Sequence, residues 1–391
     1  VASSAEFALP EVSLAMVAGE VSGDMLAARL MAGLHPQLPN VRFHGIGGPR
    51  MIEQGLVSDV PIETLTVRGL FEIIPRYREI KGIQNRLRER LLLHPPAAFI
   101  GADYPGFNLG LEEQLRAGGI PTVHFVSPQI WAWRGGRIKK IKRAVSHMLV
   151  IFPFEEAIYR AAGVPVTYIG HPLAEMIPLA PDVAASRAAL GIAPDARVVT
   201  IMPGSRMGEL KYLVEPFVGA AALLARRDPK LVFIAPMAGE RQRAYYTEIV
   251  NKAGLGEVPV RLIDGQSHAA IAAADAVLVA SGTATLEVAL FKKPMVIAYK
   301  VMRASWEIMR HMGYLPWIGL PNILAREFVV PEYLQHAATP AVLAEAVQRQ
   351  LDDPAGNEAL ARRFLDMHHG LLRNSAQASA DAVLRVIGRK K

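Results

Sequence analysis

Short apolar runs bounded by glycine or proline alternate with longer segments whose apolar residues recur every three to four positions. The runs Val12–Ala18, Ala97–Ala102, Thr122–Val126 and Met148–Phe152 predict buried parallel strands in the first half. Arg197–Met202, Leu231–Ala235, Ala276–Ala280 and Pro294–Tyr299 predict them in the second. Helical periodicity covers Met25–Leu34, Glu112–Ala117, Glu155–Ala162, Lys211–Arg226, Ala269–Ala274 and Thr283–Phe291. Strand–helix alternation run twice predicts an α/β fold of two Rossmann-like, doubly wound domains, and argues against an all-β or all-α fold. The stretch Pro178–Pro194, proline-rich with an alanine-rich piece, reads as the seam. The domains expected are 1–180 and 190–355, followed by a helical segment, 357–391, that ends in basic residues.

Composition narrows the class. With 391 residues, 51% hydrophobic and 20% charged, the chain has the core-forming content that a disordered protein lacks. The absence of cysteine excludes a disulfide framework, a zinc-thiolate site, an iron–sulfur cluster and a cysteine nucleophile, and suits a reducing compartment. The 43 Lys and Arg against 36 Asp and Glu give +7, a balance suited to a phosphorylated substrate, an anionic membrane or nucleic acid. No aromatic RNP-like strand or recognition-helix signature supports nucleic acid. Val1–Leu9 lacks the basic start of a secretory signal. The longest stretch free of Asp, Glu, Lys and Arg, Ala117–Trp133, contains Pro121, His124, Pro128 and Gln129, so no membrane-spanning segment is expected.

Open α/β sheets bind ligands beyond the carboxyl ends of their strands, so the loops there carry the candidate chemistry. After the first strand comes Gly19-Glu20-Val21-Ser22-Gly23-Asp24, a glycine-rich turn into a helix that suits an anion or a sugar hydroxyl, or is a tight turn alone. Neither it nor Gly45-Ile46-Gly47-Gly48-Pro49-Arg50 satisfies the dinucleotide fingerprint, and no P-loop occurs. Asp103, in Asp103-Tyr104-Pro105-Gly106-Phe107-Asn108, is placed to act as a general base, or else to form a turn or cap a helix. Pro203-Gly204-Ser205-Arg206 offers a guanidinium fork and backbone amides to phosphate. Ser281-Gly282-Thr283 opens a helix whose tip suits a diphosphate, with Glu287 one turn on to accept ribose hydroxyls; Ser281 reads equally as an ordinary N-cap. His171, in Gly170-His171-Pro172-Leu173, is either a ligand-reaching group near the seam or a packing residue. His368 and His369 have no spaced ligand set and no Asp-x-Asp occurs, so no metal site is expected.

Two segments bear on lipid. Leu70, Ile73, Tyr77, Ile80, Ile83, Leu87 and Leu91 fall near one helical face, interleaved with Arg76, Arg78, Lys81, Arg86, Arg88 and Arg90, with Pro75 as a late start or kink. Arg134–Arg143 is strongly basic and follows Trp131 and Trp133. Each is either an interfacial surface for anionic lipid or a core-facing helix with a solvated charged side.

Taken together, the loops resemble the lipid-A-disaccharide synthase family of inverting, GT-B-type glycosyltransferases. The matching pieces are GEVSGD (19–24), GIGGPRM (45–51), DYPGFN (103–108), SPQIWAWR (127–134), PFE (153–155), GHPL (170–173), PGSR (203–206), SGTATLE (281–287), LPN (320–322) and VPEYLQ (330–335). Ala18, where a serine is usual, and Gly106, where a larger residue often stands, are the departures. The resemblance implies two domains facing a cleft, the last helix returning to the N-terminal, acceptor- and membrane-facing one. It implies condensation of UDP-2,3-diacylglucosamine with 2,3-diacylglucosamine 1-phosphate, without cofactor or metal, at the cytoplasmic face of the inner membrane. A homodimer stays open. By resemblance Gly19, Ser22, Gly23, Asp24, Asn108 and His171 bind substrate at the cleft. Ser205, Ser281, Gly282, Thr283, Glu287, Asn322, Glu332 and Gln335 belong to the donor side, and Asp103 and Arg206 are catalytic. The alternatives are a UDP-sugar 2-epimerase on the same fold and a non-catalytic nucleotide-sugar or lipid-binding protein.

Overall fold

A computed structural model describes residues 12–65, 73–132, 135–309 and 313–388. The chain divides into two compact units, one running to Glu175 and resuming at Leu371, the other Met176–Gly370. Val1–Leu9, Leu70, Trp133 and Arg134, and the side chains of Ile73, Pro75 and Arg76, lie outside the described residues.

The first unit holds a seven-stranded sheet of β1 (Val12–Ala18), β2 (Val41–Ile46), β3 (Leu56–Ser58), β4 (Ala98–Ala102), β5 (Thr122–Phe125), β6 (His147–Val150) and β7 (Val166–Tyr168). Their order is β3-β2-β1-β4-β5-β6-β7, parallel throughout. β1 is almost wholly apolar because helices cover both faces of a parallel sheet. On one face Ala15, Val17 and Phe99 pack with Ile83, Leu87 and Leu91 of the helix Ile73–Leu93 and with Leu111 and Leu115 of the helix Pro105–Ala117. Of the two readings of the Leu70–Leu91 stripe, the core-facing one holds for Ile83, Leu87 and Leu91, which bury in this core, and among the described side chains of the stripe only Tyr77 stands out to solvent, 63% exposed. The last helix, Ser375–Val386, packs on the first, Val21–Leu34. Their approach is close enough that a Cβ on Gly33 would lie 2.4 Å from the Ala376 carbonyl oxygen.

The second unit holds β8 (Val198–Met202), β9 (Val232–Met237), β10 (Val260–Asp264), β11 (Ala276–Ala280), β12 (Met295–Tyr299) and β13 (Glu332–Leu334). Their order is β10-β9-β8-β11-β12-β13, again all parallel. Val199 and Ile201 bury against Leu210, Leu213, Val214 and Phe217 of the long helix Met207–Arg227. Val198 and Ile234 face the other way, against Leu190, Ile192, Ala270 and Ala273. The stretch 178–194 carries a helix, Val183–Ala189, whose N-cap Asp182 accepts the Ala185 amide at 2.8 Å.

In each sheet the strand order reverses direction once, between β1 and β4 and between β8 and β11. Helices leave a sheet on opposite sides there and open a crevice at the strand ends, which is where such folds hold ligands. The loops after β1, β4, β8 and β11 are the ones that carry GEVSGD, DYPGFN, PGSR and SGT.

Candidate active site

In the second unit the turn after β8 enters the helix Met207–Arg227, and Ser281-Gly282 after β11 enters the helix Thr283–Leu290. With Pro236–Ala238 from the end of β9 and Gly265 and Ser267 beyond β10, they enclose a cavity of about 270 Å³. Ser205, Arg206, Ser281, Gly282, Thr283 and Glu287 all line it. Six residues from two segments, spread over more than 80 positions of the sequence, therefore meet around one space.

Glu209 lines the same cavity and changes what the PGSR turn presents. Its Oε2 accepts the Ser205 and Arg206 amides at 3.0 and 3.1 Å, and its Oε1 lies 3.2 Å from Arg206 Nη1. Gly204 sits at φ +115°, and a Cβ there would lie 2.4 Å from Glu209 Oε2, so the turn closes around this carboxylate only with glycine. The turn's amides are thus spent on Glu209. What the turn offers a ligand is the Ser205 hydroxyl and the Arg206 side chain, 80% exposed. On the other wall Ser281 Oγ donates to the Ile318 carbonyl at 3.0 Å, and the amides that open the helix at Gly282–Ala284 have no carbonyl one turn back to bond. Glu287 Oε2 lies 3.4 Å from His268 Nε2, a neighbour the sequence reading passed over.

Asn322, Glu332 and Gln335 are not among the residues lining the cavity. Asn322 is fully buried; its Oδ1 accepts the Val329 and Val330 amides, and its Nδ2 donates to the Val330 carbonyl and Glu332. Glu332 accepts the Ile318 and Gly319 amides, both at 2.9 Å, and burial pushes its carboxyl upward against these bonds. The Gln335 amide, oriented to suit its neighbours, bonds the Val301 carbonyl and amide at 3.1 and 3.2 Å. All three hold backbone.

In the first unit the GEVSGD segment differs from the expectation of a loop. Its helix begins at Val21, four residues earlier than periodicity places it, so Ser22, Gly23 and Asp24 stand in the first turn. Ser22 is exposed, whereas Asp24 is buried and accepts the Gly48, Arg50 and Met51 amides at 2.8, 3.1 and 3.1 Å. Asp24 therefore ties GEVSGD to GIGGPRM. Gly23 lets this helix approach β4, since its Cβ would sit 3.1 Å from the Ala102 carbonyl oxygen.

After β4 the backbone turns through two successive left-handed residues, Asp103 at φ 53° and Tyr104 at φ 46°. Such strain is uncommon outside glycine and is held by its surroundings. The Asp103 amide bonds the Phe125 carbonyl at 2.7 Å, and Asn108 Nδ2 donates to the Asp103 carbonyl at 2.8 Å. Tyr104 donates its hydroxyl to the Leu65 carbonyl at 2.8 Å, and its ring fills the space where a Gly19 Cβ would be, 2.3 Å away. Pro105 is the first residue of a helix, not part of a turn, and Tyr104 is its N-cap with no side-chain capping bond. The capping role left open for Asp103 is therefore not what it does. Its half-buried carboxylate stands at the switch point of the sheet.

His171 is buried, accepts the Leu173 amide on Nδ1 at 3.2 Å and lies against Phe152, ring centroids 5.4 Å apart. Burial pulls its pKa down to about 4, so it is neutral at pH 7. Beside it, Glu155 accepts Trp131 Nε1 at 2.9 Å and the Phe152 amide at 3.0 Å, and burial raises its pKa to about 7. Glu155 thus fastens the SPQIWAWR loop to the PFE helix, a role visible only once the two motifs meet. Between β5 and the helix Pro105–Ala117, His124 and Glu112 form a fully buried pair at 2.8 Å. Among the described residues no group of three or more His, Cys, Asp or Glu is arranged to hold a metal ion.

Two open parallel sheets, each with its polar loops gathered at the switch point, define the GT-B class of two-Rossmann-domain proteins. Solved structures agree on the fold: MurG of Acinetobacter baumannii matches with a TM-score of 0.56 at 15% identity, over 96% of this chain and 100% of that one. The UDP-GlcNAc 2-epimerase of Neisseria meningitidis, bound to UDP-GlcNAc, matches with a TM-score of 0.56 at 12% identity, over 97% and 100%. A family profile described as Lipid-A-disaccharide synthetase matches residues 14–383. The Lipid-A-disaccharide synthase of Azoarcus sp. strain BH72 is 50% identical over 371 residues, 95% of each chain. The chain belongs to the lipid-A-disaccharide synthase family.

Proposed function

We propose that the chain transfers 2,3-diacylglucosamine from UDP to the 6-hydroxyl of 2,3-diacylglucosamine 1-phosphate. The products are a β-1,6-linked tetraacyl disaccharide 1-phosphate and UDP. The observation that carries this reading is the cavity after β8 and β11, where a guanidinium, a serine hydroxyl and a helix tip surround one space. Family membership supplies the two sugars.

The displacement inverts the anomeric carbon. The bond from the acceptor oxygen forms as the bond to the β-phosphate oxygen breaks, and the hydroxyl proton passes to Asp103. Negative charge grows on the departing diphosphate, where Arg206 and the Gly282–Ala284 amides meet it. Losing one such preorganised partner costs about 10²–10³ in rate. Glu287 takes the ribose hydroxyls. Asp24, Asn108 and Gly19 act one step back, by fixing the strained turn that presents Asp103 and the loop beside it. No metal or cofactor enters the scheme.

Both substrates carry acyl chains, so the reaction belongs at a lipid surface, and the cytoplasmic face of the inner membrane is the proposed site. Among the described residues no helix is long and apolar enough to cross a membrane. The reading is tested by supplying the purified protein with both diacylated sugars in detergent and following UDP and disaccharide together. Equimolar formation is expected. UDP release without disaccharide, or conversion of UDP-N-acetylglucosamine to its 2-epimer with no acceptor present, overturns it.

A further inference from the structure

The Glu112–His124 pair has no part in the scheme above, yet it lies in the core of the first unit. Both side chains are fully buried, and His124 Nδ1 lies 2.8 Å from Glu112 Oε1 and 3.0 Å from Oε2. Burial pushes the Glu112 carboxyl upward, against the opposing pull of His124 and Lys140. His124 Nε2 and the neighbouring Asn108 Oδ1 are buried without a partner among the described residues. Apolar side chains of similar volume carry none of these penalties and often leave a fold as stable or more so. Stability therefore does not explain the pair.

Its position does. Gly101, the last but one residue of β4, pairs with His124 of β5, and Ala102 pairs with Phe125. A Cβ on Gly101 would collide with Glu112 Oε1 and lie 2.9 Å from Asn108 Cβ and Cγ, so both side chains press on this glycine. Asn108 and Glu112 stand one turn apart on the helix Pro105–Ala117. Asn108 Nδ2 donates to the Asp103 carbonyl at 2.8 Å and to the Val17 carbonyl of β1 at 3.3 Å. The Phe125 carbonyl, one residue from His124, accepts the Asp103 amide at 2.7 Å. Glu112 and His124 thus fasten the helix to β5 beside both groups that hold Asp103 at φ 53°. Any slide of the helix along β5 would carry Asn108 with it and let the strained turn relax.

We propose that Glu112 and His124 are positioning residues for Asp103, locking the helix Pro105–Ala117 against β5 so that the strained turn holds the Asp103 carboxylate in one orientation. This rests on the reading of Asp103 as the base, and the test separates the two. The double variant Glu112→Met, His124→Phe removes the pair while keeping apolar bulk in its place. Its kcat should fall at least about 10-fold with both KM values and the calorimetric UDP affinity within about twofold, as a displaced base requires. In an Asp103→Asn background the same two substitutions should lower the residual rate by less than about twofold, because no base is left to orient. Glu112→Gln, whose amide still bonds His124 Nδ1, should keep kcat within about threefold of wild type. Gly101→Ala, whose Cβ displaces the carboxylate from the other side, is read in the same two backgrounds should the double variant not fold. Equal fold-losses with and without Asp103, an unchanged kcat, a parallel loss of UDP affinity, or a Glu112→Gln loss as large as the double variant's overturns the proposal. Near-wild-type turnover of Asp103→Asn alone overturns the reading of Asp103 as the base, and the proposal with it.

Discussion

At the scale of single residues, the account turns on protons. Asp103 leaves β4 in a left-handed conformation that Asn108, the Phe125 carbonyl and Tyr104 together impose. If this strain serves to aim a base, Asp103→Asn should lower kcat by about 10²–10⁴ with little change in either KM, read by steady-state kinetics. Near-wild-type turnover would reject the assignment. Glu155 makes a separate prediction about stability. Its native pKa of about 7 lies above the ordinary 4.5, so the folded protein binds the extra proton between these values. The carboxyl therefore favours the folded state most at the acid end, and this contribution is lost as pH rises from 4.5 through 7. Glu155→Gln cannot titrate, so whatever its offset, it should gain on wild type across that range, by on the order of 3 kcal/mol. Unfolding transitions of the two proteins between pH 5 and 8 check this, and a constant difference would contradict it.

At the scale of elements, the sequence announces the strands that are buried on both faces and passes over the others. β1 and β11 coincide with their apolar runs because every position but Ser13 is interior. β2 and β10 alternate apolar residues with Arg42, His44 and Arg261, so a search for continuous runs misses them, although the two-residue period was there to be read. Helix starts fall early for a related reason. Periodicity becomes plain only near where a helix meets the core, while Val21–Asp24 and Met207–Glu209 belong to the first turn and serve the loops. Glu209 is the consequence that matters most. It is an ordinary acidic residue in a helix until the fold wraps Ser205 and Arg206 around it, and no spacing rule signals that. Gly204→Ala tests the wrapped turn, since the added Cβ would meet the carboxylate in an unfavourable backbone region. It should cost about 1–3 kcal/mol of stability and weaken UDP binding, measured by denaturant unfolding and calorimetry. Unchanged values for both would show that the turn does not depend on this closure.

At the scale of the whole molecule, the two-sheet plan was legible because α/β alternation repeats, and the candidate sites were legible because such sheets gather ligands at strand ends. What the sequence could not convey is which polar residues face a cavity and which face backbone. Ser281 and Asn322 look equally available in their motifs. One lines the cavity, and the other is fully buried among the Val329, Val330 and Glu332 groups it bonds. Likewise Asp24 and Asp103 are both aspartates after a strand of the same sheet, yet Asp24 is consumed by three amides. Segregation of roles follows: in each unit some motif residues are spent on holding a loop so that others stay available to a ligand.

The central claim is that the second unit grips a pyrophosphate through Arg206 and the helix tip at Gly282–Ala284. Calorimetric titration of wild type and Arg206→Ala with UDP and with uridine isolates it, because the two ligands differ only in the diphosphate. Loss of a charge-assisted contact from an exposed arginine should weaken UDP about 10-fold or more and leave uridine unchanged. Equal losses for both ligands, or no loss for UDP, would contradict the account.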